Sequence, residues 1–566
     1  PEQHPQLVRY QPLDQIRHAR LNEQSRHQKR CLITPSGFTT GPGGRGMRNY
    51  LRRTCDEGWI IDLSPEGHRP DVASRIFPGV AQPLAICIFV RTKDTDPERP
   101  ARVHYRAVHG KRGAKYRQLK EIRLDDDGWQ DTHADAIRPF RPTTETGWED
   151  YPALDDLFRW GSPGIKANRS WVNSPSRQVL KKRWARLIHE NDLAKKAELF
   201  KETRDRSLDA SRDPLPGQPE HTRELAVETN LAPDLVRIAM RSFDRQWMIS
   251  DSRVIDFARP ALWEAMQPDQ LFLNQQSSHE IETGPAIVAT SLLPDTHHFN
   301  GRGGKIMPIL HPDGTPNVHP RLLAYVAAEL GIDDVTVHDL AAYTAAVAGH
   351  AGFTKRFAEE LLTPGVRLPL TRDSALWHEA VQLGKRLLWA STYGERYADP
   401  EDGRPAGDVL FPLGDARRLR YDQHVGTEVP AEIRYAEMTG TLHLGGGHVS
   451  PVPAEVWHYD VGGMQIIKKW FGYRKANPNS RKSSPLDDLH VESWPADWSR
   501  ELMELLSVLR RLVDLAPVQQ DLLDRVLAAP TITTADLEKV GILPVPDKGR
   551  KPHRRVVLPK EADEEA

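Results

Sequence analysis

Glycine-rich segments with the spacing of nucleotide-binding loops are the first candidates for chemistry in this sequence. Segment Gly41–Gly46 matches G-x-G-x-x-G, lies between a strand-like and a helix-like run, and is followed by Asp62 at the end of the next predicted strand. In dinucleotide-binding folds such a loop holds a pyrophosphate and the acidic residue binds a ribose. Here Pro42 stiffens the loop, and residues 35–41 separate it from the strand, whereas phosphate binding requires a tight turn. We therefore predict no cofactor-binding residue in this segment.

A second glycine-rich segment, Phe299–Gly303, is similar to the F-x-G-x-G loop by which methyltransferases hold S-adenosylmethionine. That loop should lead into a helix, but closely spaced prolines beginning at Pro308 disfavour one. The segment instead suggests a recognition loop in which Asn300, Arg302 and Lys305 reach base edges or phosphates. An ordinary surface turn is an equally good interpretation.

Signatures of metal-dependent and nucleotide-driven catalysis are missing. Three His-Glu pairs occur, but none completes the zinc motif H-E-x-x-H, and the adjacent His297 and His298 have no further ligand in motif spacing. The sequence contains no G-K-S or G-K-T phosphate loop and no N-P-P-Y, the tetrapeptide with which amino-methylating enzymes hold a flipped base. We expect no metal site, no catalytic residue, and no cofactor bound to this chain alone.

The composition indicates a multidomain globular protein. The chain has 566 residues, of which 39% are hydrophobic and 27% charged, and no apolar run approaches the ~20 residues that span a bilayer. The three cysteines are not in C-x-x-C spacing, which fits a reducing compartment. We expect a cytoplasmic protein that does not associate with membranes.

The net charge of -1 conceals strongly basic segments. Residues 101–120 contain seven Lys or Arg, and residues 468–482 contain six, with no acidic residue in either. Lysines and arginines clustered in this way are candidates for phosphate contacts, although a solvated helix face is the alternative. The apolar residues beside Lys468 and Lys469 are better explained as core. The predicted DNA-binding residues are Lys166, Arg169, Asn300, Arg302, Lys305, Lys468, Lys469, Arg474, Lys475, Arg481 and Lys482.

Short apolar runs predict an α/β domain in residues 1–140. Residues 31–35 and 59–63 have the character of buried strands and flank a helical segment at 46–53, which suggests a parallel sheet. Another apolar run of strand length covers residues 84–90.

Residues 141–490 predict a mixed α+β domain with a basic helical connector at 166–212. Within the connector, Val179–Phe200 has helical spacing, with Leu180, Trp184, Leu187 and Ile188 on one face. Further helices are predicted at 320–330, 338–362 and 375–389, and a hairpin is predicted between 441–444 and 456–461. A leucine-rich helix from Trp498 predicts a small helical cap over 491–545, and residues 546–566 predict a disordered charged tail.

Seven segments resemble parts of known DNA-modifying enzymes. Four of them look like the portion of a gamma-order adenine methyltransferase that follows N-P-P-Y: Cys31–Phe38, Gly46–Arg48, Glu57–Leu63 and Pro83–Arg91. Three others are similar to the carboxy-terminal specificity region of type ISP restriction-modification enzymes: Leu157–Lys166, Arg241–Trp247 and Val461–Trp470. Type ISP enzymes join nuclease, helicase, methyltransferase and target recognition in one polypeptide.

The resemblance implies the C-terminal part of a Rossmann-like methyltransferase sheet, followed by a mixed α+β target recognition domain and a helical cap. The S-adenosylmethionine loop and N-P-P-Y would precede this stretch, which implies a truncated chain or a split system. The implied partners are double-stranded DNA, the upstream methyltransferase half in the same polypeptide or a separate subunit, and nuclease or helicase domains. S-adenosylmethionine would serve the complete enzyme, which would methylate adenine in phage defence.

Two other functions remain open at this stage. Gly41–Gly46 with Asp62 would suit a nucleotide-cofactor oxidoreductase. A structural coupler that docks a nuclease or helicase without reading bases would also account for the basic clusters.

Overall fold

The computed structural model divides the chain into two compact units, residues 1–145 and 146–566. It describes residues 27–40, 44–65, 75–77, 80, 82–132, 139–142, 146–362, 364–476 and 482–554. Residues 555–566 of the predicted disordered tail lie outside these residues. The prediction is wrong for residues 546–554, which pack on the protein, because Arg550 pairs with Asp156 and the His553 ring stacks on His311. The predicted domain boundaries within the carboxy-terminal unit stay predictions.

A five-stranded sheet forms the amino-terminal unit, with strand order β1-β3-β2-β4-β5. Its elements are β1 (His27–Pro35), α1 (Gly37–Thr40), α2 (Arg45–Thr54), β2 (Glu57–Asp62), β3 (Leu84–Thr92), β4 (Arg102–Ala107), α3 (Arg112–Glu121) and β5 (Gln130–Asp131). Alternate residues of β3, including Ala85, Cys87 and Phe89, are buried, and Phe140 completes this core.

The predicted parallel sheet is wrong in its pairing. Strand β3 lies between β1 and β2 and is antiparallel to both, and only β2 and β4 pair in parallel. Strands β1 and β2 therefore run in the same direction without touching. A strand-helix-strand spacing sets the direction of two strands, but it does not specify whether a later antiparallel strand enters between them.

The carboxy-terminal unit contains several small sheets surrounded by helices. Its strands are β6 (Asn173–Ser174), β7 (Leu235–Arg241), β8 (Asp244–Ile249), β9 (Phe272–Gln276), β10 (Ile287–Thr290), β11 (Leu293–Pro294), β12 (Gly304–Pro308), β13 (Leu370–Thr371), β14 (Arg420–Gln423), β15 (Ile433–Ala436), β16 (Thr441–Leu444), β17 (Gly447–Ser450), β18 (Asp460–Val461), β19 (Met464–Gln465) and β20 (Thr531–Ile532). The larger sheets have the orders β11-β7-β8-β6, β10-β9-β12 and β14-β17-β16-β15. The predicted mixed α+β architecture is therefore confirmed at this level.

The helices of this unit form much of its core. They are α4 (Leu154–Leu157), α5 (Arg177–His189), α6 (Leu193–Phe200), α7 (Pro260–Glu264), α8 (Leu322–Leu330), α9 (Val337–Ala348), α10 (Ala351–Arg356), α11 (Ser374–Ser391), α12 (Ala454–Trp457), α13 (Ile466–Gly472), α14 (Ala496–Ala528) and α15 (Thr534–Lys539). The rings of Tyr343 in α9 and Trp377 in α11 stack with centroids 4.6 Å apart. Helix α14 has 33 residues, continues through Pro517, and buries Leu502, Leu505 and other leucines in the same core.

Three local predictions differ from the structure. The predicted helix over 179–200 is two helices, because the Asp192 carboxylate accepts the N–H groups of Ala194 and Lys195 and starts α6. The predicted helix over 338–362 is likewise broken, into α9 and α10 and a final turn. Strand β16 pairs with β17 and not with 456–461, because the short loop beginning at Gly445, whose φ is +56°, closes the hairpin earlier.

Within the described residues, no helix combines the length and apolar character needed to cross a membrane.

Candidate nucleic-acid interface

The segment around Lys166 lies against residues 294–296 of the carboxy-terminal unit. The Ile165 N–H donates to the Pro294 carbonyl at 3.0 Å, and the Thr296 N–H donates to the Ile165 carbonyl at 2.8 Å. Gly164 is required here, because a Cβ at this position would lie 2.5 Å from the Asp295 carbonyl carbon. Lys166 is therefore held beside the residues that follow β11.

Arg241 approaches the same residues from the other side. Strand β11 pairs with β7, and the Asp295 N–H donates to the Ala239 carbonyl at 3.0 Å. Two residues later in β7, Arg241 reaches back, and its Nη1 lies 2.7 Å from Asp295 Oδ1. The same carboxylate oxygen accepts the His297 N–H at 2.9 Å, which fixes the start of the loop that leads to β12.

Helix α13 brings further charged and aromatic side chains close to Arg241. The loop before β12 is tied to the turn that precedes α13, because Asn300 Nδ2 donates to the Gly462 carbonyl at 3.1 Å. The Lys469 ammonium lies 5.1 Å from the centre of the Tyr473 ring, and the Arg241 guanidinium lies 6.0 Å from that ring. We call the group Lys166, Arg241, Asp295, His297, Lys469 and Tyr473 the junction.

The junction carries an excess of positive charge. The ammonium of Lys166 has no hydrogen-bond or ion-pair partner among the described residues, and Lys469 has only the Tyr473 ring. Burial and the nearby Arg241 lower the pKa of Lys469, against an opposing effect of Asp244. Burial also raises the pKa of Tyr473 to about 12, so its hydroxyl remains protonated at neutral pH.

Two polar atoms of the junction are buried and lack partners in the described part of the chain, the Nε of Arg241 and the Nδ1 of His297. Buried polar groups in folded proteins are nearly always hydrogen-bonded. Clustered cations with unused hydrogen-bonding capacity are suited to binding an anion such as a phosphate.

Arg169 and Arg474, predicted as DNA contacts, are instead structural. The Arg169 side chain is fully buried, and its Nη1 lies 2.5 Å from Asp256 Oδ1. The Arg474 side chain is also fully buried, and its Nη1 lies 2.9 Å from Asp244 Oδ1. A guanidinium enclosed by protein and paired with a buried carboxylate cannot reach a phosphate, so both predictions are corrected.

Counting only partners among the described residues, the predicted recognition loop has one cation without a polar partner. The Asn300 amide is used within the protein, because it also accepts from Gln276 Nε2 at 3.0 Å. The Lys305 ammonium lies 2.6 Å from an Asp155 carboxylate oxygen. The Arg302 guanidinium is half-buried and has no polar partner within the residues that the structure describes, so it remains available for a ligand.

The other predicted contacts lie on or near α13. Lys468 is exposed, with its ammonium 5.2 Å from the centre of the Trp457 ring, and Lys475 is partly exposed. Lys482 is exposed and forms a 2.6 Å ion pair with Asp488. Arg481 lies outside the described residues. The apolar neighbours of the lysines in α13 are buried, as predicted: Ile466, Ile467, Trp470 and Phe471.

Four members of the junction were not predicted from the sequence: Arg241, Asp295, His297 and Tyr473. Arg241 opens one of the segments that carry the resemblance, and His297 stands in the His-His pair that was considered only for metal binding. No local pattern marked Asp295. Only the pairing of β11 with β7 brings it to Arg241.

Neither Asp62 nor segment 299–303 has the structure of the cofactor-binding element that its sequence suggested. The Asp62 carboxylate is buried and accepts from Tyr105 Oη at 2.8 Å, Arg141 at 3.2 Å and the Ser64 N–H at 2.9 Å, which leaves no free oxygen for a ribose. Segment 299–303 leads into strand β12, not into a helix. Residues 41–43 lie outside the described part. Within that part, no three His, Cys, Asp or Glu side chains come together as metal ligands would.

The fold and the junction define a mixed α/β protein with a cluster of basic side chains. The model of the Type ISP C-terminal specificity domain matches residues 156–505, and the chain therefore belongs to this family. This match contains all six residues of the junction. No curated protein matches the sequence.

Three solved structures share the fold. The chain aligns with DrdV in a DNA complex at a TM-score of 0.52 and 16% identity, covering 90% of this chain and 51% of DrdV. The chain also aligns with a nuclease-deletion mutant of the Type ISP restriction-modification enzyme LlaGI in complex with a DNA substrate mimic. The TM-score is 0.51 and the sequence identity 15%, and the alignment covers 88% of this chain and 39% of the LlaGI chain. For the ATP-dependent Type ISP restriction-modification enzyme LlaBIII bound to DNA, the TM-score is 0.53 and the sequence identity 14%. That alignment covers 90% of this chain and 33% of the LlaBIII chain. The chain thus spans between a third and about half of these proteins.

Proposed function

We propose that this chain recognises double-stranded DNA as the specificity part of a restriction-modification enzyme, and that the carboxy-terminal unit makes the contacts. The observation that carries the proposal is the family match over residues 156–505. The DNA complexes of the three similar structures support it, as does the convergence at the junction of all three segments that resembled type ISP specificity regions.

Within this function, the cations of the interface divide into two groups. Lys166, on a segment held by backbone hydrogen bonds, and Lys469, on α13, suit a fixed phosphate contact, which positions the protein on the duplex. Arg241 is only 11% exposed and is paired with Asp295, so it adds positive charge beside them. Arg302, on the loop beside His297, is free to approach a base edge or a second phosphate. Lys468 and Lys475 extend the basic surface along α13.

The amino-terminal unit has a separate role in the proposal. We propose that its sheet is the C-terminal part of a Rossmann-like methyltransferase domain, and that an upstream half, in the same polypeptide or another subunit, supplies S-adenosylmethionine binding and adenine methylation. Leu32 and Ile33 of β1, the edge strand of the described sheet, are more than half exposed, as expected of a strand that packs against further structure. The complete enzyme would act in the cytoplasm in phage defence, with nuclease and helicase domains as partners.

Salt-dependent DNA binding tests the proposal. Titrating the chain with a labelled duplex at increasing salt should give a logarithm of affinity that falls linearly with the logarithm of salt concentration, because each phosphate contact releases counterions. Lys469→Gln should weaken binding and reduce the slope by about one. Lys355→Gln, an exposed lysine on α10, is the matched control and should leave affinity and slope unchanged.

Absence of duplex binding at low salt, or an affinity that does not respond to salt, would show that the proposed function is wrong. Equal slopes for the wild type and Lys469→Gln would remove Lys469 from the interface. Binding that is indifferent to DNA sequence under all conditions would favour the structural coupler over target recognition.

A further inference from the structure

His297 occupies an unusual position in the junction, because two cations lie close enough to act on its side chain. Arg241 on β7 and Lys166 on the neighbouring segment both act on its imidazole, and Asp295 acts in the opposite direction. Lys469 and Tyr473 on the α13 side complete the charged and titratable groups of the junction. Asp295 is the single carboxylate of the junction, and it is already paired with Arg241.

The neighbouring carboxylates leave this excess of positive charge in place. Asp244, the other acidic group near Lys469, is paired with the buried Arg474 and accepts from Gln246 Nε2 at 2.7 Å. The free junction therefore disfavours a fourth positive charge on His297. Burial acts in the same direction and lowers the pKa of His297, with further lowering by Arg241 and Lys166, against opposing effects of Asp295 and a backbone hydrogen bond with Arg302.

We propose that the junction binds one backbone phosphate of DNA between Lys166 and Lys469, beside the Arg241–Asp295 pair, and that His297 takes up a proton from solvent as the phosphate enters. This inference rests on the proposed function. A phosphate neutralises the cations that oppose protonation and adds a negative charge that favours it, so DNA binding and proton binding at His297 strengthen each other.

The proton taken up by His297 makes DNA affinity depend on pH in a defined direction. Because His297 is more basic with phosphate bound than without it, DNA affinity rises as the pH falls through the range between the two titrations. One linked proton changes the affinity by up to about tenfold per pH unit. The adjacent His298 cannot substitute for His297, because burial lowers its pKa to about 3 and it stays neutral.

Calorimetry measures the proton directly. The whole chain is titrated with a duplex of arbitrary sequence near pH 6.5, the usual titration point of histidine, in two buffers that differ in ionisation enthalpy. The difference between the apparent enthalpies gives the protons taken up. The wild type should take up a substantial fraction of one proton more than His297→Gln, whose side chain is neutral at all pH values.

Two further variants separate protonation from structural damage. His378→Gln, an exposed histidine on α11, should keep the wild-type proton uptake. His297→Lys carries a permanent charge, so it should lose the linked proton and bind DNA more tightly than the wild type at about pH 8, where His297 is neutral in the free protein.

The outcomes distinguish the inference from the proposed function. If the wild type binds duplex but His297→Gln takes up as many protons, His297 is not the linked group and the inference is wrong while DNA recognition stands. If the wild type binds no duplex at low salt, the proposed function fails and the inference with it. Loss of uptake in His297→Gln alone, with tighter binding by His297→Lys, supports both.

Discussion

At the scale of the single residue, Arg474 links three parts of the carboxy-terminal unit. It follows α13, its guanidinium lies 4.1 Å from the centre of the Trp470 ring, and it pairs with Asp244 at the start of β8 and with Glu501 in α14. The side chain is fully buried. It therefore holds α13, with the junction residue Lys469, against the sheet that carries Arg241.

Replacing Arg474 should destabilise the protein strongly. Arg474→Met removes the positive charge and leaves Asp244 and Glu501 with reduced compensation, which typically costs about 3–5 kcal/mol for a buried pair. Denaturant unfolding of the variant measures the loss of free energy of unfolding. Arg434→Met is the control, because Arg434 is largely exposed and should change stability by less than about 0.5 kcal/mol.

A double variant tests the charge argument itself. Adding Asp244→Asn to Arg474→Met removes one of the uncompensated carboxylates and should recover part of the lost stability. If Arg474→Met is as stable as Arg434→Met, Arg474 does not stabilise the fold, and its assignment as a structural residue fails.

Sequence alone could not separate Arg474 from Lys468 and Lys469, which stand in the same acid-free segment. The difference lies in Asp244, which is 230 residues away in the chain and reaches Arg474 only through the packing of α13 on β8. The same holds for Arg169 and Asp256, which are 87 residues apart. Local composition identifies positive charge, but the distant partner decides whether that charge faces solvent.

At the scale of the element, helices α9 and α11 pack closely against each other. A Cβ added to Gly384 in α11 would overlap the carbonyl oxygen of Ala342 in α9. The small side chain therefore sets the distance between two helices that carry much of the core, including the stacked Tyr343 and Trp377.

We expect Gly384→Ala to separate the two helices and lower the free energy of unfolding by about 1–3 kcal/mol or more, as overpacking of a core usually does. Gly472→Ala in α13 is the matched control. No atom lies within 4 Å of an added Cβ there, so the variant should be as stable as the wild type or slightly more stable. Equal stability of the two variants, measured by thermal unfolding, would contradict the proposed tight contact.

Helices with strong apolar periodicity were the most predictable elements. Segments 320–330 and 375–389 match α8 and α11 closely, and the leucine spacing of α14 places its buried residues correctly. Strand pairing was harder. The hairpin at β16 was assigned the wrong partner, and the insertion of β3 between β1 and β2 depends on contacts between distant segments that no local pattern contains.

At the scale of the whole molecule, the net charge is close to zero and positive charge is concentrated in local clusters. The net charge of -1 gives no general attraction for DNA, yet four separate segments place Lys166, Arg241, His297 and Lys469 in one junction. Recognition would therefore depend on docking this surface correctly, because a net charge near zero gives no general attraction to DNA. Sequence similarity to the family found three of the segments, but the structure was needed to bring them together.

The described sheet of the amino-terminal unit has an exposed apolar edge at β1. Strand β1 spans nine residues, lies at the edge of the described sheet, and exposes 58% of Leu32 and 57% of Ile33. An exposed apolar edge favours pairing with another chain. We expect the chain by itself to self-associate with rising concentration, and Ile33→Lys to reduce this association because a charged side chain on an edge strand opposes further pairing.

Sedimentation velocity over a range of concentrations measures the effect. The control is Leu413→Lys, because Leu413 is 87% exposed but lies in a loop of the carboxy-terminal unit outside any strand, and its replacement should not alter association. Duplex affinity should be the same for both variants and the wild type, since the proposed DNA contacts lie in the other unit. If Ile33→Lys and Leu413→Lys reduce association equally, general surface hydrophobicity explains it and the edge of β1 does not. If only Ile33→Lys does so, the edge of β1 is the surface through which copies of the chain associate.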